Sequence, residues 1–100
     1  MIEWSLITGF VWDQGNSRKS HEKHDVSQSE AEEVFFNQPL LIVGDTRHSF
    51  LEQRFHALGR TNLERMLHIT FTLREKGQLI RVISARPMHR KERKIYEQST

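Results

Sequence analysis

The sequence contains no cysteine. Disulfides and cysteine-based zinc sites are therefore excluded, and a reducing cytoplasm is permitted. Its apolar runs are short, and none approaches the roughly 18 residues needed to span a bilayer. The opening MIEWSLITGF has an early acidic residue and no basic stretch, so it does not read as a secretory signal. No G-x-x-x-x-G-K-[ST], G-x-G-x-x-G or G-x-S-x-G occurs, which leaves nucleotide cofactors and hydrolase elbows without support. No H-E-x-x-H occurs either, and His21-Glu22-Lys23-His24 has the wrong spacing for a zincin. His21 and His24 stand three apart on a predicted helix, but scattered histidines of this kind are commonly surface or structural. We therefore expect no metal and no cofactor. Repeats, low-complexity tracts and linkers rich in Pro, Gly or Ser are also missing. The expectation is one domain over residues 1–100, with one core.

Hydrophobic residues make up 36% of the 100 residues and aromatics 9%, enough for a core and too much for a disordered chain. The net charge of +2 conceals an asymmetry. Residues 1–70 carry 7 Lys/Arg against 10 Asp/Glu, whereas residues 71–100 carry 8 against 3. Positive charge gathered at one end suits a polyanion or an acidic partner, although a solvated basic helix gives the same arithmetic.

Trp4 to Trp12 is rich in β-branched and aromatic residues and predicts a first strand. Asp13 can N-cap a helix running to about His24, closed by Asp25 in a left-handed conformation. Ser27 with Glu30 forms an S-x-x-E capping box for a second, short helix with Ala31, Val34 and Phe35 on its apolar face. Pro39 stops it. The period then changes to two, predicting strands over Leu40–Gly44, Arg54–Arg60, Met66–Arg74 and Leu79–Ala85. Residues 89–98 predict a C-terminal helix anchored by Ile95. The order is β-α-α-β-β-β-β-α: an α+β fold with a small, mostly antiparallel sheet, two helices before it and one after.

Strand alternation sorts the side chains by face. Leu67, Ile69, Phe71 and Leu73 point one way; His68, Thr70, Thr72 and Arg74 point the other. Arg54 and His56 share a face. Ile80, Val82 and Ser84 alternate with Arg81 and Ile83, and Arg86 ends the strand. A face of Arg, His and Thr suits phosphodiester chemistry, because guanidinium is always charged and grips phosphate with paired N–H groups. RNA cleavage also needs a group to deprotonate the 2′-hydroxyl and charge to stabilise the phosphorane. The competing explanation is an ordinary wet sheet face, which carries Arg and Thr without function.

The ordered residues resemble one known family. They run Phe10-Val11-Trp12-Asp13, Gly15-Asn16, Lys19, Lys23-His24, Val26, Glu30-Ala31-Glu32-Glu33-Val34-Phe35 and Pro39. They continue through Asp45, His48, Glu52, Arg54, Gly59, Phe71-Thr72 and Arg74, and end with Arg81-Val82-Ile83-Ser84-Ala85-Arg86, Arg90-Lys91-Glu92-Arg93 and Tyr96. Over residues 10–97 this set is similar to the BrnT toxins of bacterial type II toxin–antitoxin modules. The resemblance implies a RelE-like fold and a metal-independent endoribonuclease that arrests translation and growth. It implies neutralisation by a BrnA-type antitoxin in a toxin–antitoxin hetero-oligomer, which touches operator DNA only through the antitoxin. Such a protein acts in the cytoplasm, away from membranes. A catalytically inactive homologue kept as an antitoxin- and operator-binding module is the alternative.

Carried to this sequence, the resemblance makes Arg74, Arg81 and Arg86 the expected phosphate and transition-state binders. His48 or His24 would be the general base or acid, and Glu52 would orient an arginine. Lys19, Lys23, Arg54, Arg90, Lys91 and Lys94 would hold RNA. Trp12 is expected in the core. Asp25 stands where the family commonly has Gly, and residues 1–9 extend past its usual start, lengthening the first strand or reflecting a start-codon choice.

Overall fold

The computed structural model describes residues 2–47 and 52–99. The elements run β1 (Gly9–Val11), α1 (Gln14–His24), α2 (Gln28–Val34), β2 (Leu41–Asp45), β3 (Arg54–Arg60), β4 (Met66–Arg74), β5 (Leu79–Pro87) and α3 (Arg90–Gln98). The class is mixed α+β, with five strands in one sheet ordered β1-β5-β4-β3-β2. All neighbours are antiparallel except β1 and β5, which are parallel.

The first strand is shorter than Trp4–Trp12. Trp4–Leu6 forms a turn of 3-10 helix, and pairing starts with Gly9 opposite Leu79. β5 begins at Leu79, and just before it only Thr8 still bonds, its N–H donating to the Gln78 carbonyl at 2.8 Å. Residues 2–8 lie outside the strand.

Helix α1 contains no aliphatic or aromatic residue, so apolar burial cannot hold it. Its ends are fastened instead. Asp13 Oδ1 accepts the Gly15 N–H at 2.8 Å. At the other end Asp25 is left-handed at φ 54°, a conformation Asp tolerates better than most residues. Arg65 donates to the carbonyls of Asp25 and His24 and to the Glu30 carboxylate. Helix α2 starts on the Ser27–Glu30 capping box, with both reciprocal bonds present. It seats Ala31 and Val34 in the core and docks on β3 over Gly59. A Cβ on Gly59 would lie 2.6 Å from Val34 Cγ1, so glycine is what permits this approach.

Leu67, Ile69, Phe71, Ile80 and Val82 form the buried centre. Phe71 stacks on Phe55 at 5.4 Å and meets Phe35 edge-on at 5.1 Å. Trp12 packs against this core, as expected, and its Nε1 donates to Glu32.

Two further expectations fail. Phe71 pairs with Val82 but Thr70 pairs with Ser84, so β5 carries a bulge with Ile83 as the extra residue. Ser84 is therefore opposite Thr70, off the Ile80–Val82 face, and Ala85 takes the core position instead. Without that extra residue, Arg81 and Arg86 would point to opposite faces. Ile95 is not the anchor of α3; it is exposed, and Tyr96 is buried in its place. Tyr96 lies four residues after Glu92, on the same side of the helix. The Glu92–Arg86 pair turns that side inward, and the Tyr96 hydroxyl donates to the Pro39 carbonyl at 2.7 Å.

Candidate active site

The sheet face opposite α2 reads as a grid. Residues directly paired across strands share a face. One row is Asp45, Arg54, Thr72, Arg81. The next is Val43, His56, Thr70, Ser84, and the third is Leu41, Leu58, His68, Arg86. Arg74 lies two residues beyond Thr72, on the same side of β4.

The structure brings Arg54 and Arg81 into one row, on either side of buried Thr72, whose hydroxyl donates to the Gln53 carbonyl. Two strand spacings, about 9.6 Å, separate their backbones. Arg81 pairs with Asp13 at 3.1 Å, which ties the start of α1 to β5. Arg74 pairs with Glu52 at 3.1 Å. Both pairs are open to solvent on at least one side, and such pairs are weak enough for a stronger anion to replace.

Arg86 is held differently. Its Nη1 and Nη2 donate in parallel to the two Glu92 oxygens at 2.8 and 2.9 Å. Glu92 also accepts the His89 N–H, closing the start of α3. The Arg86 hydrogen bonds hold the Glu92 carboxyl down to about 2. The His68 ring lies behind this pair, with Nε2 4.0 Å from Glu92 and Nδ1 buried without a hydrogen-bond partner. Burial, aided by the Arg86 charge, pushes His68 down to about 4, so it is neutral at pH 7. Arg86 thus fastens α3 to the sheet, whereas Arg54, Arg74 and Arg81 lie towards the other end of the face.

The remaining expected residues are dispersed. His48 lies outside the described residues. His24 ends α1, about 16 Å along the helix from its start beside Arg81. Lys19 and Lys23 belong to the same helix, and Lys23 is exposed. Arg90, Lys91 and Lys94 lie on the solvent side of α3, remote from the Arg54–Arg81 row by sheet position but exposed and positively charged.

The residue set expected from sequence omitted Asp45 and His56. His56 Nε2 lies 2.9 Å from Asp45 Oδ2, and its Nδ1 lies 3.1 Å from Thr70 Oγ1. A carboxylate only accepts, so Nε2 carries the proton and a neutral ring offers its Nδ1 lone pair to the Thr70 hydroxyl. The signal was present in the alternation that put Arg54 and His56 on one face, but the β2–β3 register that brings Asp45 to His56 is not readable from a short apolar strand. Among the described residues no cluster of three or more His, Asp or Glu could hold a metal ion. A separate cleft of about 520 Å³, near Trp4, Phe10, Phe36 and Ile80, is lined by no titratable side chain.

The fold and these arginines define a class: a small α+β protein with one sheet face suited to an anionic ligand. The family model for ribonuclease toxin BrnT of type II toxin–antitoxin systems matches residues 12–92. The chain belongs to the BrnT family of ribonuclease toxins of type II toxin–antitoxin systems. Its structure is similar to the 1.1 Å crystal structure of the Brucella abortus ribonuclease toxin BrnT, with TM-score 0.64. That likeness covers 83% of this chain and 99% of that chain at 19% identity, and speaks to the fold alone. No curated protein is significantly similar in sequence. An antitoxin partner follows from the family. Among the described residues no helix is long and apolar enough to cross a membrane.

Proposed function

We propose that this chain is a metal-independent endoribonuclease that arrests translation and growth in the cytoplasm until a BrnA-type antitoxin binds it. The observation that carries the reading is the Arg54–Thr72–Arg81 row, with Arg74 beside it, on a sheet face near the start of α1. Guanidinium groups on β3 and β5, either side of β4, can hold a phosphodiester from two sides. Their charge is permanent and stabilises a phosphorane without a metal. Asp13 and Glu52 keep Arg81 and Arg74 extended over the sheet until phosphate competes for them. The exposed cations of α3 add affinity for the RNA backbone without reading sequence.

A second reading is favoured by one observation: Arg74, Arg81 and Arg86 each face a carboxylate. On that reading the chain is a non-cleaving homologue that binds antitoxin and, through it, operator DNA. Purified protein incubated with RNA in the presence and absence of EDTA separates the two. Cleavage that persists in EDTA is expected. Cleavage abolished by EDTA refutes metal independence, and intact RNA in both reactions favours the binding module.

A further inference from the structure

The ribonuclease reading leaves one chemical task unassigned, removal of the 2′-hydroxyl proton. Among the described residues, two imidazoles lie on the face of Arg54 and Arg81: His56 and His68. Their rings are 4.9 Å apart, but their surroundings differ. The His68 side chain is 11% exposed and sits behind the Arg86–Glu92 pair. The His56 side chain is 30% exposed and lies one row from the arginines.

Resting on the ribonuclease reading above, we propose that His56, oriented by Asp45, is the base that accepts the 2′-hydroxyl proton. Asp45 is buried and engaged through both oxygens: Oδ1 accepts the Arg47 N–H at 3.0 Å, and Oδ2 accepts His56 Nε2–H at 2.9 Å. The carboxylate fixes the ring's orientation and tautomer and stabilises the imidazolium that forms. The bond on the opposite nitrogen is the weaker one, because Thr70 is a neutral hydroxyl. A substrate 2′-hydroxyl replaces it like for like, one O–H donor for another.

The step then balances. The 2′-O–H bond breaks and its proton moves to His56 Nδ1. The 2′-oxygen forms a bond to phosphorus while the phosphorus–O5′ bond breaks. O5′ takes a proton from water, and the imidazolium returns its own to solvent. The products are a 2′,3′-cyclic phosphate and a 5′-hydroxyl. Arg54 and Arg81 hold the phosphorane charge. His56 is a catalytic residue in this scheme and Asp45 a positioning residue.

The groups facing His56 are Asp45 from β2, Arg54 on its own strand, and Thr70 and His68 from β4, with Arg86 and Glu92 behind His68. His68 is held at about 4 by burial and so supplies no acid limb near neutrality.

The test is single-turnover cleavage of a short RNA in EDTA across acid to neutral pH. Wild-type protein should show a rate that rises with pH with unit slope and then levels off. His56→Gln should lose at least ~100-fold in rate and lose the acid limb, while binding RNA as wild type does. Asp45→Asn should lower the rate and keep the limb. Added imidazole should restore cleavage to His56→Ala, a rescue that a merely structural role would not show. A wild-type rate or an unchanged acid limb in His56→Gln overturns the proposal, as does a His56→Ala protein indifferent to imidazole. Should the variants fail to fold, the wild-type profile decides, and a profile without an acid limb overturns the proposal. An inactive wild type overturns the ribonuclease reading and the proposal together; an active wild type matched by His56→Gln overturns the proposal alone.

Discussion

Replacing Glu92 with Gln removes the charge that joins α3 to the sheet while keeping the side chain's shape. Glu92 accepts two parallel bonds from Arg86 and one from the His89 N–H. Gln retains one acceptor oxygen, but its amide N–H₂ then faces the second Arg86 nitrogen, donor against donor. A hydrogen bond to a charged group contributes about 1.5–3 kcal/mol, and an N-terminal cap about 1 kcal/mol. With one of these bonds kept, the expected loss is about 2 kcal/mol. In a domain of this size that lowers Tm by roughly 8–16 °C at pH 7. The pH dependence follows from linkage. The folded-state Glu92 carboxyl is depressed from 4.5 to about 2, so its stabilisation is fully present above 4.5 and is lost as pH falls towards 2. Thermal melts of wild type and Glu92→Gln should therefore differ most near neutrality and converge as pH falls through that window. Equal Tm values at pH 7, or a gap that stays constant with acid, would show that the Glu92 charge does not hold α3 to the sheet.

His68→Leu removes an imidazole whose Nδ1 is buried without a partner. In wild type the unfolded ring takes up a proton near 6.5 that the folded ring refuses until about 4, so stability falls as pH drops across that interval. Melts of His68→Leu should lose that decline, and an equally steep loss between the two values contradicts it. Gly59→Ala places a methyl group 2.6 Å from Val34 Cγ1, on a buried, β-branched side chain with little freedom to move. Chemical denaturation should show a loss of about 1–3 kcal/mol, and wild-type stability would show that α2 can shift away.

Much of the framework was legible because local chemistry and tertiary structure agree. The β3 and β4 strands span the residues their alternation marks, since the buried set Phe55, Ala57, Leu67, Ile69 and Phe71 leaves one register open. Ser27 and Glu30 announce α2 through bonds made within three residues. The errors share another origin. Ile83 bulges because β4 and β5 must accommodate each other, and nothing inside RVISAR records that. Ile95 outranks Tyr96 on apolarity, yet Arg86 pins Glu92 and so chooses which side of α3 turns inward. In the candidate site, the arginines were recognisable singly, and their pairing with Asp13, Glu52 and Glu92 joins residues far apart in the chain except for Arg86 and Glu92. Asp45 and His56 meet only through the β2–β3 register.

On the reading proposed above, the arginine row on the sheet face opposite α2 binds the scissile phosphate. Arg81→Ala tests it most directly, because the Arg81–Asp13 pair is partly exposed and contributes only about 0–1 kcal/mol to stability. The expected result is an RNA cleavage rate reduced at least ~100-fold in a protein that melts within a few degrees of wild type. Wild-type cleavage by folded Arg81→Ala contradicts it.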